Sequence, residues 1–85
     1  MNDMHYEVRH VLTHLGSFGS RREALSFCKD ELSNKRYEYP VLQLFFDDTW
    51  KGNAYLNKEI GKICFYDNLN DLEFMIGEEG RLITR

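Results

Sequence analysis

The stretch from Ser20 to Asn34 constrains the fold more than any other part of the chain, because it has the pattern of a capped amphipathic helix. Ser20 and Glu23 form a capping-box pair, in which the serine hydroxyl accepts from the third helical amide and the glutamate returns to the serine amide. Asn34 tolerates the left-handed conformation and is a suitable end. At about 100° per residue, the apolar side chains fall within an arc of roughly 160°. They are Ala24, Leu25, Phe27, Cys28 and Leu32. The helix therefore has one face to bury.

The rest of the chain is predicted to supply a mostly antiparallel sheet for that face. The predicted strands are rich in alternating or continuous apolar residues, and they cover 6–12, 39–46, 54–56, 62–66 and 72–76, with 81–84 as the hairpin partner of the last. Residues 13–19 contain two glycines and are predicted to be a loop, and 47–53 and 67–71 are predicted to be turns. Because 39–46 has apolar residues on both parities, we expect it to be covered on both faces or nearly so.

Up to Ile76 these elements give the order β-α-β-β-β-β, within a single α+β domain over residues 1–85. One alternative stays open. Asn70 can cap a helix, Leu72 and Ile76 share helical spacing, and Gly77 can end one. A second helix over 69–77 would give the ferredoxin-like order β-α-β-β-α-β.

Charge and composition exclude several classes of function. The net charge is −3, and residues 43–85 carry all of the imbalance, with five basic and eight acidic side chains. Duplex nucleic acid is a disfavoured partner, because phosphate neutralisation needs a basic face. No apolar run approaches the length of a membrane span, and no signal-peptide pattern is present, so we expect no membrane partner. A partner protein with a basic surface is compatible with this charge.

The two cysteines, Cys28 and Cys64, are too few for a disulfide scaffold and lack CxxC spacing. Cys28 lies on the predicted buried face of the helix, and Cys64 lies in a predicted strand. We expect both to be buried free thiols in a cytoplasmic protein.

Metal binding has weak support in the sequence. His10 and His14 are four residues apart, a spacing that brings ligands together on a helix but not reliably on a strand. His5 adds no recognised motif, and we expect the three histidines to lie around a strand end. The segment from Asp67 to Asp71 alternates oxygen ligands but lacks the glycine and later glutamate of a calcium loop. Turn chemistry, in which Asx side chains bond their own backbone, explains it. We therefore expect neither metal nor cofactor.

Catalysis also has little support, and the protein is expected not to be an enzyme. Cys28 lies in mid-helix on the apolar arc, not at an electropositive end. The segment from Gly16 to Arg22 opens a helix and resembles an anion-binding site, although it matches neither Gly-rich phosphate motif. If it bound an anion, the contacts would come from Gly19, Ser20, Arg21 and Arg22. A regulatory domain for an anionic small molecule is therefore the alternative function.

Surface recognition remains as the leading hypothesis. Trp50 lies in a predicted loop among charged residues, and aromatic anchors surrounded by charge are enriched at interfaces. In the competing interpretation Trp50 folds back and completes the core. We expect a small non-catalytic protein-binding module, of adaptor, inhibitor or immunity type, which occludes or bridges a partner through an acidic and aromatic surface. Its predicted contact residues are Asp47, Asp48, Trp50, Lys51 and Tyr55.

Overall fold

The computed structural model describes residues 5–84, which form a seven-stranded antiparallel sheet with one α-helix packed against it. This confirms the predicted α+β class. The strands are β1 (Tyr6–His10), β2 (Thr13–Phe18), β3 (Val41–Phe46), β4 (Thr49–Asn57), β5 (Lys62–Asp67), β6 (Leu72–Ile76) and β7 (Leu82–Thr84). The helix α1 spans Arg21–Asn34, and a 3-10 turn at Glu78–Gly80 joins β6 to β7.

The helix begins where the sequence predicts it. Ser20 is the N-cap, and its Oγ accepts a hydrogen bond of 3.2 Å from the amide of Glu23. The second half of the predicted capping box is different, because the Glu23 carboxylate accepts from the Ser20 hydroxyl at 3.2 Å. The helix ends at Asn34, as predicted, but without the left-handed residue that was expected there. Asn34 is the last helical residue, and Lys35 follows it in an extended conformation with its amide donating to Glu31 O at 2.9 Å.

The sheet order is β2-β1-β3-β4-β5-β6-β7, and every neighbouring pair is antiparallel. The strands follow the chain except at one place, where β1 lies between β2 and β3. The chain therefore leaves the edge strand β2, crosses the sheet through α1, and returns at β3. This crossover places α1 against one face of the sheet.

The core lies between α1 and that face. Ala24, Leu25 and Cys28 are its helical part, as predicted, while Phe27 and Leu32 are half-buried. The sheet contributes Val8, Leu42, Leu44, Ala54, Phe65 and Ile76. Two glycines let the backbones approach closely. A Cβ on Gly80, which has a φ of +77°, would lie 2.0 Å from Arg22 O in α1, and one on Gly52, which has a φ of +152°, would lie 1.9 Å from Tyr66 O.

The predicted loop over 13–19 is wrong in its main part, because residues 13–18 form β2. The chain reverses at Val11 and Leu12, so β1 ends at His10 and Leu12 does not belong to it. The glycine and serine content concealed the strand. Gly16 lies beneath the ring of Phe18, which would be 2.9 Å from a Cβ at that position.

The predicted turn over 47–53 is also wrong in its length. Only Asp47 and Asp48 form the turn, with φ values of +50° and +65°, and β4 begins at Thr49. The register of β3 and β4 shifts, because Leu44 pairs with Gly52 and Phe45 pairs with Trp50. Lys51 is therefore the extra residue of a β-bulge.

The structure decides the two remaining questions about the fold. Residues 72–76 are a strand, so the preferred interpretation is confirmed and the ferredoxin-like order is wrong. The expectation that residues 39–46 are covered on both faces or nearly so is correct for one face only. Leu42 and Leu44 are buried under α1, while Val41, Gln43 and Phe45 are only half-buried on the other side.

Candidate functional site

The sheet surface opposite α1, which we call the open face, is the largest feature left without a second layer in the described part of the chain. A helix of 14 residues is about 21 Å long, and seven strands are about 29 Å wide, so α1 covers only part of one face. Side chains alternate between the two faces along each strand. The residues that alternate with the buried core positions therefore form the open face.

Four aromatic side chains lie on the open face, and we call them the aromatic row. Phe45 and Trp50 are directly opposite each other on β3 and β4. Tyr55 follows on β4 and Tyr66 on β5, each next to a strand residue buried on the other side. Trp50 is 36% exposed, and its Nε1 donates to Asn53 Oδ1 at 3.0 Å. Of the two interpretations that the sequence left open for Trp50, a surface position agrees with this exposure better than a place in the core does.

A charged network covers one end of the aromatic row. The Arg9 guanidinium lies 4.0 Å from the centre of the Phe45 ring. It donates to Glu7 Oε1 at 3.0 Å and to Asp48 Oδ1 at 2.9 Å. The hydrogen bond from Arg9 lowers the pKa of Glu7, although partial burial raises it. The hydrogen bond from His14 makes a smaller contribution in the same direction as that from Arg9. This end of the face holds a cation on an aromatic ring between two carboxylates.

The other end of the row carries carboxylates beside tyrosine hydroxyls. Tyr55 and Asn57 both donate to Glu73 Oε2, the latter at 3.2 Å. The Tyr66 hydroxyl donates to Asp71 Oδ1 at 2.7 Å, and this bond raises the pKa of Tyr66. The tyrosine rings are therefore fixed by their hydroxyls, and little side-chain entropy remains to be lost on binding.

The structure separates the five residues predicted to contact a partner. Trp50 and Tyr55 lie together on the open face, and Asp48 reaches it through Arg9. Asp47 is exposed in the adjoining turn. Lys51, at the bulge, instead lines a crevice of about 180 Å3 with Arg21 and Asp67, on the side of α1. The predicted surface is therefore a set of four residues, with Lys51 outside it.

The four residues of the predicted anion site do not converge. Gly19 and Ser20 precede α1, but Arg21 lines the crevice with Asp67. Arg22 instead donates to Glu79 through Nε, 3.4 Å from the carbonyl, and Nη2, 3.3 Å from the carboxylate.

The cavity next to Arg22 is shallow and has a volume of about 570 Å3. Glu23 and Glu79 line it together with Ser20 and Arg22. An anion there would meet two carboxylates, and the Ser20 hydroxyl already caps the helix. Anion binding at this helix start stays a prediction that the local charges disfavour.

His10 and His14 have different neighbours and do not form a common site. His10 Nε2 lies 2.8 Å from Tyr39 O and its ring packs on Tyr37, whereas His14 contacts Glu7 on the open face. Within residues 5–84, no group of three histidine, cysteine or acidic side chains could hold a metal ion.

The predicted Asx turn at Asp67 is confirmed. Asp67 Oδ1 accepts from the Leu69 amide at 2.9 Å, and Oδ2 accepts from Asn70 Nδ2 at 2.8 Å.

One hydrogen-bonded chain on the open face has the connectivity of a nucleophile, a base and an orienting acid. Ser17 Oγ lies 3.3 Å from His14 Nε2, and His14 Nδ1 lies 2.8 Å from Glu7 Oε2. Ser17 and His14 are both exposed on the edge strand β2, where water is not excluded. The guanidinium of Arg9 occupies the other Glu7 oxygen. This series of three hydrogen-bonded side chains resembles a catalytic triad in its order, but it lacks the dry, enclosed setting in which such a triad works.

Sequence reasoning missed Arg9, Phe45 and Tyr66 as members of the site. Each of them lies in a strand that the sequence predicts, and the alternation of side chains assigns it to one of the two faces of that strand. The sequence does not reveal which face α1 covers, so it could not show that these residues belong to the open face.

No family model matches the chain, and comparisons with curated proteins and with solved structures found no match. Among residues 5–84, no helix is long and apolar enough to cross a membrane.

Proposed function

We propose that the protein is a non-catalytic protein-binding module, of adaptor, inhibitor or immunity type, which occludes or bridges a partner through its open face. The observation that carries this proposal is the aromatic row on a sheet face that α1 leaves uncovered. Trp50 is exposed and the other three rings are half-buried. Partly exposed aromatic side chains within a polar rim are typical of the centres of protein interfaces.

The partner is proposed to have a basic surface. Asp47, Asp48, Asp71 and Glu73 border the aromatic row. The contact of Arg9 with Phe45 and two carboxylates supports the same choice, because it is the arrangement by which this face already holds a guanidinium. A partner's arginine or lysine can use the same chemistry on the tyrosine end of the row. The acidic balance disfavours duplex nucleic acid.

A cytoplasmic location is part of the proposal. Cys28 and Cys64 are both buried, and neither forms a disulfide. Burial raises the pKa of Cys28 to about 12, with a smaller contribution from Glu31. An inert, reduced thiol is compatible with a reducing compartment and with a role that does not use cysteine chemistry.

The proposal is tested by affinity capture from host lysate with mass spectrometry, followed by titration of the purified partner. Trp50→Ala should weaken binding by at least about 2 kcal/mol while the protein stays folded, because buried aromatic anchors dominate interface energies. Lys58→Gln, an exposed change in the β4–β5 turn, is the control and should bind like the wild type.

Charge at the rim gives a second test on the same partner. Asp47→Asn should mainly slow association, and the loss should shrink as salt rises. The double variant Asp47→Asn with Asp48→Asn also breaks the ion pair between Asp48 and Arg9. Asp47→Asn alone is therefore the cleaner test of electrostatic steering. If no partner is captured, or if binding is indifferent to Trp50 and Asp47, the proposal is wrong.

A further inference from the structure

The turn between β1 and β2 is unusually apolar for an exposed hairpin tip. Val11 and Leu12 are its two residues, since His10 pairs with Thr13 on either side of them. Val11 is 55% exposed and Leu12 is 95% exposed. Leu12 gains almost nothing from burial within this chain, and Val11 gains only part of what a buried valine would gain.

Val11 is also in a backbone conformation that disfavours valine. Its φ is +58°, in the left-handed region, where a β-branched side chain crowds the backbone. Glycine, asparagine or aspartate is the usual choice at such a position in a two-residue hairpin. The corresponding turn between β3 and β4 follows this rule with Asp47 and Asp48, both at positive φ. The tip between β1 and β2 therefore departs from a rule that the same chain obeys elsewhere, and a departure of this kind is expected at functional sites.

The tip is continuous with the open face. Val11 and Leu12 line a groove of about 510 Å3 together with Phe45 and Gln43 of β3. Glu7, Arg9 and His14 form the polar side of the same groove. The tip therefore stands beside the Phe45 end of the aromatic row, where a partner that covers the row would also meet it.

We infer that the Val11–Leu12 tip is an apolar anchor that enters an apolar pocket of the partner protein, beside the basic surface that faces the aromatic row. The inference rests on the proposed function and adds the partner's second feature. A second copy of this chain is the less suitable occupant, because a two-fold contact would bring the two sets of open-face carboxylates together.

The test separates the stability of the tip from its binding. In the double variant Val11→Gly with Leu12→Ser, glycine removes the conflict at φ +58° and serine replaces a side chain that is 95% exposed. The melting temperature should therefore be equal to or higher than that of the wild type. Its Kd for the captured and purified partner, measured by calorimetry, should be at least tenfold weaker. The matched control is Leu69→Ser, because Leu69 is also an exposed turn leucine, at 80%, but lies in the turn between β5 and β6.

Each outcome bears on either the anchor or the proposed function. If the double variant binds within twofold of the wild type while Trp50→Ala binds at least tenfold more weakly, the anchor is disproved and the proposed function stands. If no partner is captured, the proposed function fails and the anchor fails with it. A double variant that melts several degrees lower assigns the tip a structural role, and an equal loss in Leu69→Ser shows a non-specific effect, so either overturns the inference. A wild-type dimer in sedimentation that the double variant abolishes identifies a second copy as the occupant and overturns the choice of a different protein.

Discussion

The covered face and the open face of the sheet alternate along the same strands, yet they are built from different kinds of side chain. Beneath α1 the sheet contributes mostly aliphatic residues, such as Leu42, Leu44 and Ala54, and each is almost completely buried. On the open face the neighbouring positions are Gln43, Phe45 and Tyr55, all half-buried. Aliphatic contacts gain free energy only when water is removed, whereas aromatic and polar side chains can cover one another at a surface.

The difference between the two faces explains how a chain of 85 residues with one helix can stabilise a seven-stranded sheet. One helix completes a core on one side, and hydrogen bonds such as those from Arg9 to Glu7 and from Tyr66 to Asp71 fix the side chains on the other. The described residues contain no buried side-chain nitrogen or oxygen without a hydrogen-bond partner. The covered face is therefore expected to determine stability, and the open face is expected to determine recognition.

The largest expected difference between the faces is in the cost of truncation. Leu25→Ala should destabilise the fold by about 3 kcal/mol, because Leu25 is fully buried and a cavity would remain in the core. Trp50→Ala on the open face should cost about 1 kcal/mol or less. Chemical denaturation of both variants measures the difference. Equal costs would mean that Trp50 is a core residue, and the division between the faces would then be wrong.

The two thiols sharpen the comparison, because Cys28 is buried under the helix and Cys64 is buried on the open face. The cross-strand neighbours of Cys64 are Tyr55 and Met75, so side-chain motion can expose its sulfur, whereas exposing Cys28 requires α1 to separate from the sheet. In single-cysteine variants, Cys64 should react with a thiol reagent at least tenfold faster than Cys28, a difference of about 1.4 kcal/mol in opening free energy. Unfolding should make the two rates equal. Faster native labelling of Cys28 would contradict its place in the core.

The elements that the sequence predicts well are those in which local chemistry and burial agree. Ser20 and Glu23 mark the start of α1, and the Asx pattern at Asp67 marks a turn that the structure reproduces. The alternation in residues 72–76 was enough to favour a strand over a helix, as observed. In each case the signal is contained within a few residues of the chain.

The elements that were missed depend on contacts across the sheet. Residues 13–18 have weak strand propensity, and they are held in β2 by pairing with β1. Regular alternation would put Trp50 on the same face as Gly52, two residues away, but the bulge at Lys51 places Trp50 opposite Phe45 on the open face. Residues 39–46 look fully buried because both parities are apolar, and only the placement of α1 shows that Phe45 belongs to the open face. No local pattern contains this information.

A smaller effect tests the edge of the covered face. Ser20→Ala should destabilise the fold by about 1 kcal/mol, because the Glu23 amide loses the acceptor that caps α1. Ser20→Gly is the matched control and should cost only a few tenths of a kcal/mol, since glycine leaves the amide open to water. Urea denaturation midpoints compare the two variants. An unchanged midpoint in Ser20→Ala would show that the cap contributes nothing.

The smallest expected effect is the pH dependence of the Glu7 network on the open face. Hydrogen bonds from Arg9, and next from His14, hold the pKa of Glu7 below its usual value of 4.5. The folded state therefore favours the ionised carboxylate. The resulting stability is present above the unfolded pKa and is lost as the pH falls through the lowered folded pKa. We expect the contribution to be a few tenths of a kcal/mol, because the ion pairs are close to solvent.

Asp67 provides the control for the open face, because its pKa is also lowered by hydrogen bonds but the main donors are uncharged. Asp67 is only 7% exposed, and burial alone would raise its pKa, but hydrogen bonds from Asn70 and the Leu69 amide outweigh this effect. Glu7→Gln should remove part of the loss of stability that sets in as the pH falls below about 4.5, and Asp67→Asn part of the loss that sets in below about pH 3.8. Added salt should shrink the effect of Glu7→Gln, since the Glu7 charges are screened, and should leave that of Asp67→Asn largely unchanged. Urea denaturation of both variants at pH 6 and at pH 3.5, in low and in high salt, provides the comparison. If the free-energy difference between Glu7→Gln and the wild type is constant across this pH range, the ion pairs on the open face do not stabilise the folded state, and its side chains are held by packing alone.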